Sequence, residues 1–127
     1  MTNLSSLTIH LNFYDTNHRV CLVAYQGYEP YGKITTNLPD LDLEPNEFFV
    51  KMYSENSPWV KHLLNQHTDL FHCQSGKGVM FNGLYFPVYK LTNKFIAEEF
   101  EKTYDPRSDI YNAAPPLWDL YAKYCEV

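Results

Sequence analysis

The stretch Val79-Met80-Phe81-Asn82-Gly83-Leu84-Tyr85-Phe86 constrains the fold more than any other in this sequence. Asn-Gly between two apolar runs is the signature of a type I′ turn, because both central residues take positive φ and few residues besides Asn, Asp and Gly do so without strain. Such a turn joins antiparallel neighbours, so at least part of the sheet is built from hairpins. Pro87 falls inside the second arm. It has no N–H to offer a sheet ladder and points to an edge strand or a bulge.

The N-terminal half carries the same kind of signal. Leu7, Ile9, Leu11 and Phe13 alternate with Thr8, His10, Asn12 and Tyr14, the period of a half-buried strand. Asp15-Thr16-Asn17-His18 is turn chemistry, and a second strand runs from Arg19 to Tyr25, giving an antiparallel hairpin. A turn over Gln26 to Pro30 leads to a third strand from Tyr31 to Leu38, which Pro39 ends. The segment from Asp40 to Asn46 is an acidic loop. In a fourth strand Phe48, Val50 and Met52 share one face, and Phe49, Lys51 and Tyr53 the other. Glu55-Asn56-Ser57 then hands over to a helix, with Ser57 as N-cap and Pro58 in the first turn. Trp59, Val60, Leu63 and Leu64 supply its apolar face. Leu70 to Gln74 reads as a short strand and Ser75-Gly76-Lys77-Gly78 as a loop. A helix is expected over Asn93 to Tyr104, broken by Asp105-Pro106-Arg107. A last one over Leu117 to Tyr124 presents Leu117, Tyr121 and Tyr124, with Trp118 beside them. The pattern predicts an α+β fold: a mainly antiparallel sheet of five to six strands, one central helix and a helical C-terminal tail.

The chain has 127 residues, of which 45% are hydrophobic, enough for one domain with a real core. That domain divides into an α+β core over 7–91 and a helical extension over 92–127. Net charge is −5 and the Lys and Arg residues are scattered singly, which argues against direct nucleic-acid binding, since that needs a basic stripe. An acidic surface suits basic protein surfaces instead. The three cysteines, Cys21, Cys73 and Cys125, are too few and too far apart for a disulfide framework. The start lacks the basic region and apolar run of a signal peptide, and no stretch is long enough to span a membrane. The expectation is a cytoplasmic protein with no membrane contact.

Catalytic and metal-binding patterns fail on spacing. His62, His67 and His72 recur every fifth residue, followed by Cys73, whereas helical metal ligands want steps of three or four. Asp40-Leu41-Asp42-Leu43-Glu44 opens like a calcium loop. Pro45 then stands where the turn glycine belongs, and Lys51 where the bidentate glutamate belongs. Ser75-Gly76-Lys77-Gly78 lacks the earlier glycine of a phosphate loop. Glu98, Glu99 and Glu101 read as a solvated helix face. No nucleophile elbow, paired-cysteine or dinucleotide fingerprint occurs. No enzyme, no cofactor and no metal are therefore expected.

A string of short phrases occurs in order: Glu29-Pro30-Tyr31-Gly32-Lys33, Thr36-Asn37-Leu38-Pro39, Asn46-Glu47-Phe48-Phe49-Val50-Lys51, Tyr53-Ser54-Glu55-Asn56 and Phe86-Pro87-Val88-Tyr89-Lys90-Leu91. Over about Leu7 to Leu91 the chain resembles a family of small bacterial proteins of unknown function carried on plasmids, conjugative elements and related mobile DNA. Thr92 to Val127 lie outside the match, and the family supplies no catalytic residues to carry over. The resemblance implies a binding protein that acts on host defence, inhibiting a CRISPR or restriction nuclease by protein–protein contact. On that reading the contact residues are Asp40, Asp42, Glu44, Glu47, Glu98, Glu99, Glu101 and Trp118. Self-association as an accessory of the mobile element, with a homodimer, is the alternative; a small metal- or ligand-binding enzyme using His62, His67, His72 and Cys73 is a third.

Overall fold

The alternation that begins at Leu7 folds into the first hairpin. In the computed structural model, which describes residues 6–50, 57–74 and 76–125, β1 (Thr8–Phe13) pairs antiparallel with β2 (Val20–Gln26), Leu11 opposite Leu22. Ile9, Leu11 and Phe13 face inward with Val20, Leu22 and Ala24. The chain turns at Gly27-Tyr28 and β3 (Glu29–Lys33) adds a third strand.

The expected single strand from Tyr31 to Leu38 is two strands. β3 ends at Lys33, Ile34 turns fully inward and donates its N–H to Leu22 O at 2.9 Å, and β4 (Thr35–Thr36) belongs to the next sheet. Thr35 fixes the corner: its buried hydroxyl accepts from Leu22 N at 3.3 Å and meets the Tyr14 hydroxyl at 3.0 Å.

The second sheet has the order β4-β5-β9-β6, where β5 is Glu47–Val50, β6 is Phe71–Cys73 and β9 is Val88–Leu91. All four residues of β5 are buried, so both of its faces are covered. Phe48 and Val50 join the main core; Phe49 joins a smaller cluster with Phe86 and Val88. The rest of the expected fourth strand and the Glu55-Asn56 connection lie outside the described residues. After them comes α1 (Ser57–Gln66), which buries Trp59, Val60, Leu63 and Leu64.

The Asn-Gly hairpin forms as expected, with β7 (Val79–Phe81) against β8 (Leu84–Phe86), Asn82 at φ 51° and Gly83 at φ 78°. Of the edge strand or bulge read from Pro87, the edge strand holds for β8, which pairs only with β7 among the described residues; Pro87 itself lies just past its end. Pro87 is buried at the joint where the chain leaves this hairpin and enters the middle of the second sheet, and its carbonyl accepts from Val50 N at 2.9 Å. A residue without an N–H fits where one ladder ends and another begins.

Thr92 caps α2 (Asn93–Glu101) by accepting from Phe95 N, and Phe95, Ile96 and Phe100 are buried. The helix stops short of Tyr104. That residue instead starts a small ladder, β10 (Tyr104–Asp105) with β11 (Ile110–Tyr111), closed by Asp109 at φ 54°. Finally α3 (Pro115–Tyr124) packs on α2: the Phe100 ring lies flat on Tyr121 at 4.0 Å and on Tyr111 at 4.5 Å, with Trp118 edge-on at 4.6 Å. Phe95, Ile96, Phe100, Leu117 and Leu120 share one buried cluster with Leu22, Phe48 and Leu63. The fold is α+β, with three helices and eleven short strands among the described residues, mostly antiparallel. The expectation of five to six strands undercounts in part because Ile34 and Pro87 divide extended segments between sheets and because β10 and β11 form where a helix end and a break were expected. No helix of the described residues is long and apolar enough to cross a membrane.

Candidate functional site

The hairpin of β7 and β8 forms its own two-stranded sheet. Its pairs alternate in face: Val79–Phe86 and Phe81–Leu84 on one side, Met80–Tyr85 on the other. Only the base is inserted, with Phe86 buried and Val79 half-buried against the cluster of Phe49 and Val88. The remainder is held out: Met80 is 67% exposed, Tyr85 53%, Phe81 44% and Leu84 38%. An isolated two-stranded ribbon is marginal in water, and this one carries apolar side chains on both faces. Tyr85 lies over Gly78, where a Cβ would collide with its ring and hydroxyl.

Next to the hairpin runs the acidic loop. Its sequence alternates, and so does its exposure: Leu41 and Leu43 pack with Leu38 on the Phe49–Phe86–Val88 cluster, while Asp40, Asp42 and Glu44 face solvent. Arg19 stiffens it, donating from its guanidinium to Leu38 O at 2.8 Å and also to Leu41 O. Leu41 N closes the turn on Leu38 O at 3.1 Å. Asn37, Leu38, Pro39, Asp40 and Leu41 form, with Phe81 of the hairpin, a pocket of about 180 Å³.

Glu47, read from the sequence as part of the exposed contact patch, is corrected. It is 4% exposed. Its carboxylate accepts from Lys77 Nζ at 2.6 and 2.7 Å and from Glu44 N at 2.8 Å. One buried side chain thus ties the lead-in of the hairpin and the end of the acidic loop to β5. Burial of a carboxylate is tolerated because one charged donor and one backbone N–H meet it.

The other expected contact residues sit on the C-terminal helices, and none lines that pocket. Glu98 is within 3.7 Å of Lys94, and Glu101 accepts from the Tyr111 hydroxyl at 3.3 Å. Glu99 departs from the expected solvated face: its side chain is only 13% exposed and meets Lys102 at 2.7 Å. Trp118 is 41% exposed and stands edge-on to Phe100 and Tyr111. The Tyr104 hydroxyl is pushed up in pKa by its bond to the Asp109 carboxylate, and that of Tyr111 by burial and then by Glu101. Glu98 and Glu99 are partly neutralised by lysines, unlike Asp40 and Asp42, which have no ion-pair partner among the described residues.

His62 lies on the outer side of α1, His67 in the turn after it, and His72 and Cys73 on β6. Among the described residues no group of three or more His, Cys, Asp and Glu side chains is placed to hold a metal ion. His72 instead borders a polar cavity of about 440 Å³ with Lys90, Asn93 and Tyr124.

Sequence reasoning placed the hairpin and passed over its side chains. The signal was there: apolar residues fill both faces of arms too short to be covered twice. Arg19 and the charge partner of Glu47 carried no local signal, because Leu38 and Lys77 lie about twenty and thirty residues away in sequence.

No family model matches this chain, and no curated protein or solved structure is significantly similar to it.

Proposed function

We propose that this chain is a non-catalytic protein-binding module that docks on a basic protein surface through the 79–86 hairpin and the acidic loop beside it. The carrying observation is the exposure of Met80, Phe81, Leu84 and Tyr85 on one projecting hairpin. Aromatic residues and Met are enriched at interface cores, with charge at the rim. Large exposed apolar side chains gathered on one short hairpin of a small domain mark a binding site. The rim here is acidic, and the net charge of −5 adds long-range attraction toward a cationic partner. The resemblance to mobile-element proteins suggests a setting: a cytoplasmic inhibitor of a host defence nuclease, of anti-CRISPR or anti-restriction type, covering the basic groove that receives nucleic acid.

The test uses purified restriction and CRISPR nucleases with their DNA substrates. Wild-type protein is expected to bind one of them stoichiometrically and to suppress cleavage. The triple variant Asp40→Lys, Asp42→Lys, Glu44→Lys is expected to lose that binding while keeping its unfolding midpoint. Undiminished inhibition by the folded triple variant, or no binding to any enzyme of the panel, contradicts the reading.

A second reading, self-association, draws on the same hairpin, whose two strands pair only with each other among the described residues. Sedimentation equilibrium separates the two: a dimer that Phe81→Asp disperses supports self-association, and a monomer contradicts it.

A further inference from the structure

The geometry points to a recognition pocket for one arginine side chain of the protein partner, between the 38–41 turn and Phe81. This inference rests on the binding-module reading and names the chemistry of its contact. Four apolar side chains, Leu38, Pro39, Leu41 and Phe81, make most of the lining, and Asp40 is the sole charged group among the residues that form it. A volume of about 180 Å³ suits one long side chain and not a helix or a strand. Apolar walls with one acidic residue among the lining, itself open to solvent, select an occupant with a hydrocarbon stem and a cationic head. Arg and Lys are the side chains of that build. Arg is favoured over Lys, because its guanidinium bonds a carboxylate with two parallel N–H groups, stacks on an aromatic face and is more weakly hydrated. Phe81 offers such a face, and it is 44% exposed.

The pocket is pre-set before any partner arrives. Arg19 pins the carbonyls of Leu38 and Leu41, so the turn that carries Asp40 is held from within, and that guanidinium is committed to the turn. The leucines are anchored on Phe49, Phe86 and Val88. The opposite wall is held at the base by Phe86 and, through Lys77, by the buried Glu47 carboxylate. Little ordering remains to be done on binding, which lowers the cost of association. Asp42, the next outward-facing acid, extends the negative field beyond the mouth.

The probe is N-acetyl-L-argininamide, titrated into isotopically labelled full-length protein and followed by amide chemical shifts. Its neutral isostere, N-acetyl-L-citrullinamide, is the control. Saturable shifts at Leu38, Asp40, Leu41 and Phe81 are expected for the arginine derivative, with binding about tenfold weaker for citrulline, since the charge-assisted bonds are lost. Asp40→Asn, on an exposed turn, is expected to weaken the arginine derivative about tenfold as well. Phe81→Leu keeps an apolar wall without the ring and is expected to weaken it by a smaller factor. Equal titrations by the two derivatives, shifts elsewhere in the chain, or no saturation up to about 50 mM overturn the pocket. A protein partner that binds wild type and Asp40→Asn equally, yet fails to bind a Met80→Ser, Tyr85→Ser variant, also overturns the pocket and leaves the binding-module reading standing.

Discussion

Two hairpins of this molecule obey the same local rules and do opposite things with their apolar residues. In β1–β2 the inward residues Leu22, Ala24 and Val20 are essentially sealed, because β3 extends the ribbon and the helices share its core. In β7–β8 only Phe86 is sealed, no third strand is added among the described residues, and four large apolar side chains stay in water. Turn chemistry and strand propensity place both hairpins. What separates them is whether another layer arrives to cover the face. The exposed part of these side chains adds no burial in the free protein; on the proposed reading a partner covers it.

That contrast sets an order of effects. Truncating the covered hairpin, Leu22→Ala, is expected to cost about 3 kcal/mol through lost burial and a residual cavity, read from the urea midpoint. A loss below about 1 kcal/mol would mean that the first hairpin is not part of the main core. Lys77→Met removes the cation from the buried Glu47 carboxylate. Lys77 is itself 46% exposed, so water replaces part of the loss, and about 2 kcal/mol is expected. A neutral outcome would show that Glu47 is held by Glu44 N alone. Gly83→Ala forces a side chain onto φ 78° and is expected to cost about 1 kcal/mol. That cost is local, visible as faster amide exchange at Phe81 and Leu84, with the global midpoint nearly unmoved; a full global shift would couple this hairpin to the core. The smallest change is Gly78→Ala. The new methyl meets the far end of Tyr85, which swings away, so stability changes by less than about 0.5 kcal/mol while the Tyr85 ring resonances move.

Much of this architecture is legible in the chain. Period-two alternation gives β1 and the two faces of β5, and the apolar run Val20 to Val23 gives β2. Asn82-Gly83 gives the β7–β8 turn, and the apolar spacing of Trp59, Val60, Leu63 and Leu64 gives α1. Local patterns fail where a tertiary event decides. Nothing near Ile34 says that one extended segment will serve two sheets, since that depends on Leu22 accepting its N–H. Nothing in Thr103 to Tyr111 announces a ladder of two-residue strands. The acidic loop was visible as charge; the inward turn of Leu41 and Leu43 was not read, because it depends on the Phe49–Phe86–Val88 cluster beneath them. The burial of Glu47 was not, because it depends on Lys77 reaching back across thirty residues.

The most direct measurement is the unfolding free energy of a variant with Met80, Phe81, Leu84 and Tyr85 all replaced by Thr, which keeps strand propensity and removes the apolar surface. If these side chains serve a partner and not the core, the variant unfolds within about 1 kcal/mol of wild type, with the Val79 and Phe86 anchor intact. A loss of several kcal/mol would show that the hairpin belongs to the packed interior and would remove the basis for the binding surface.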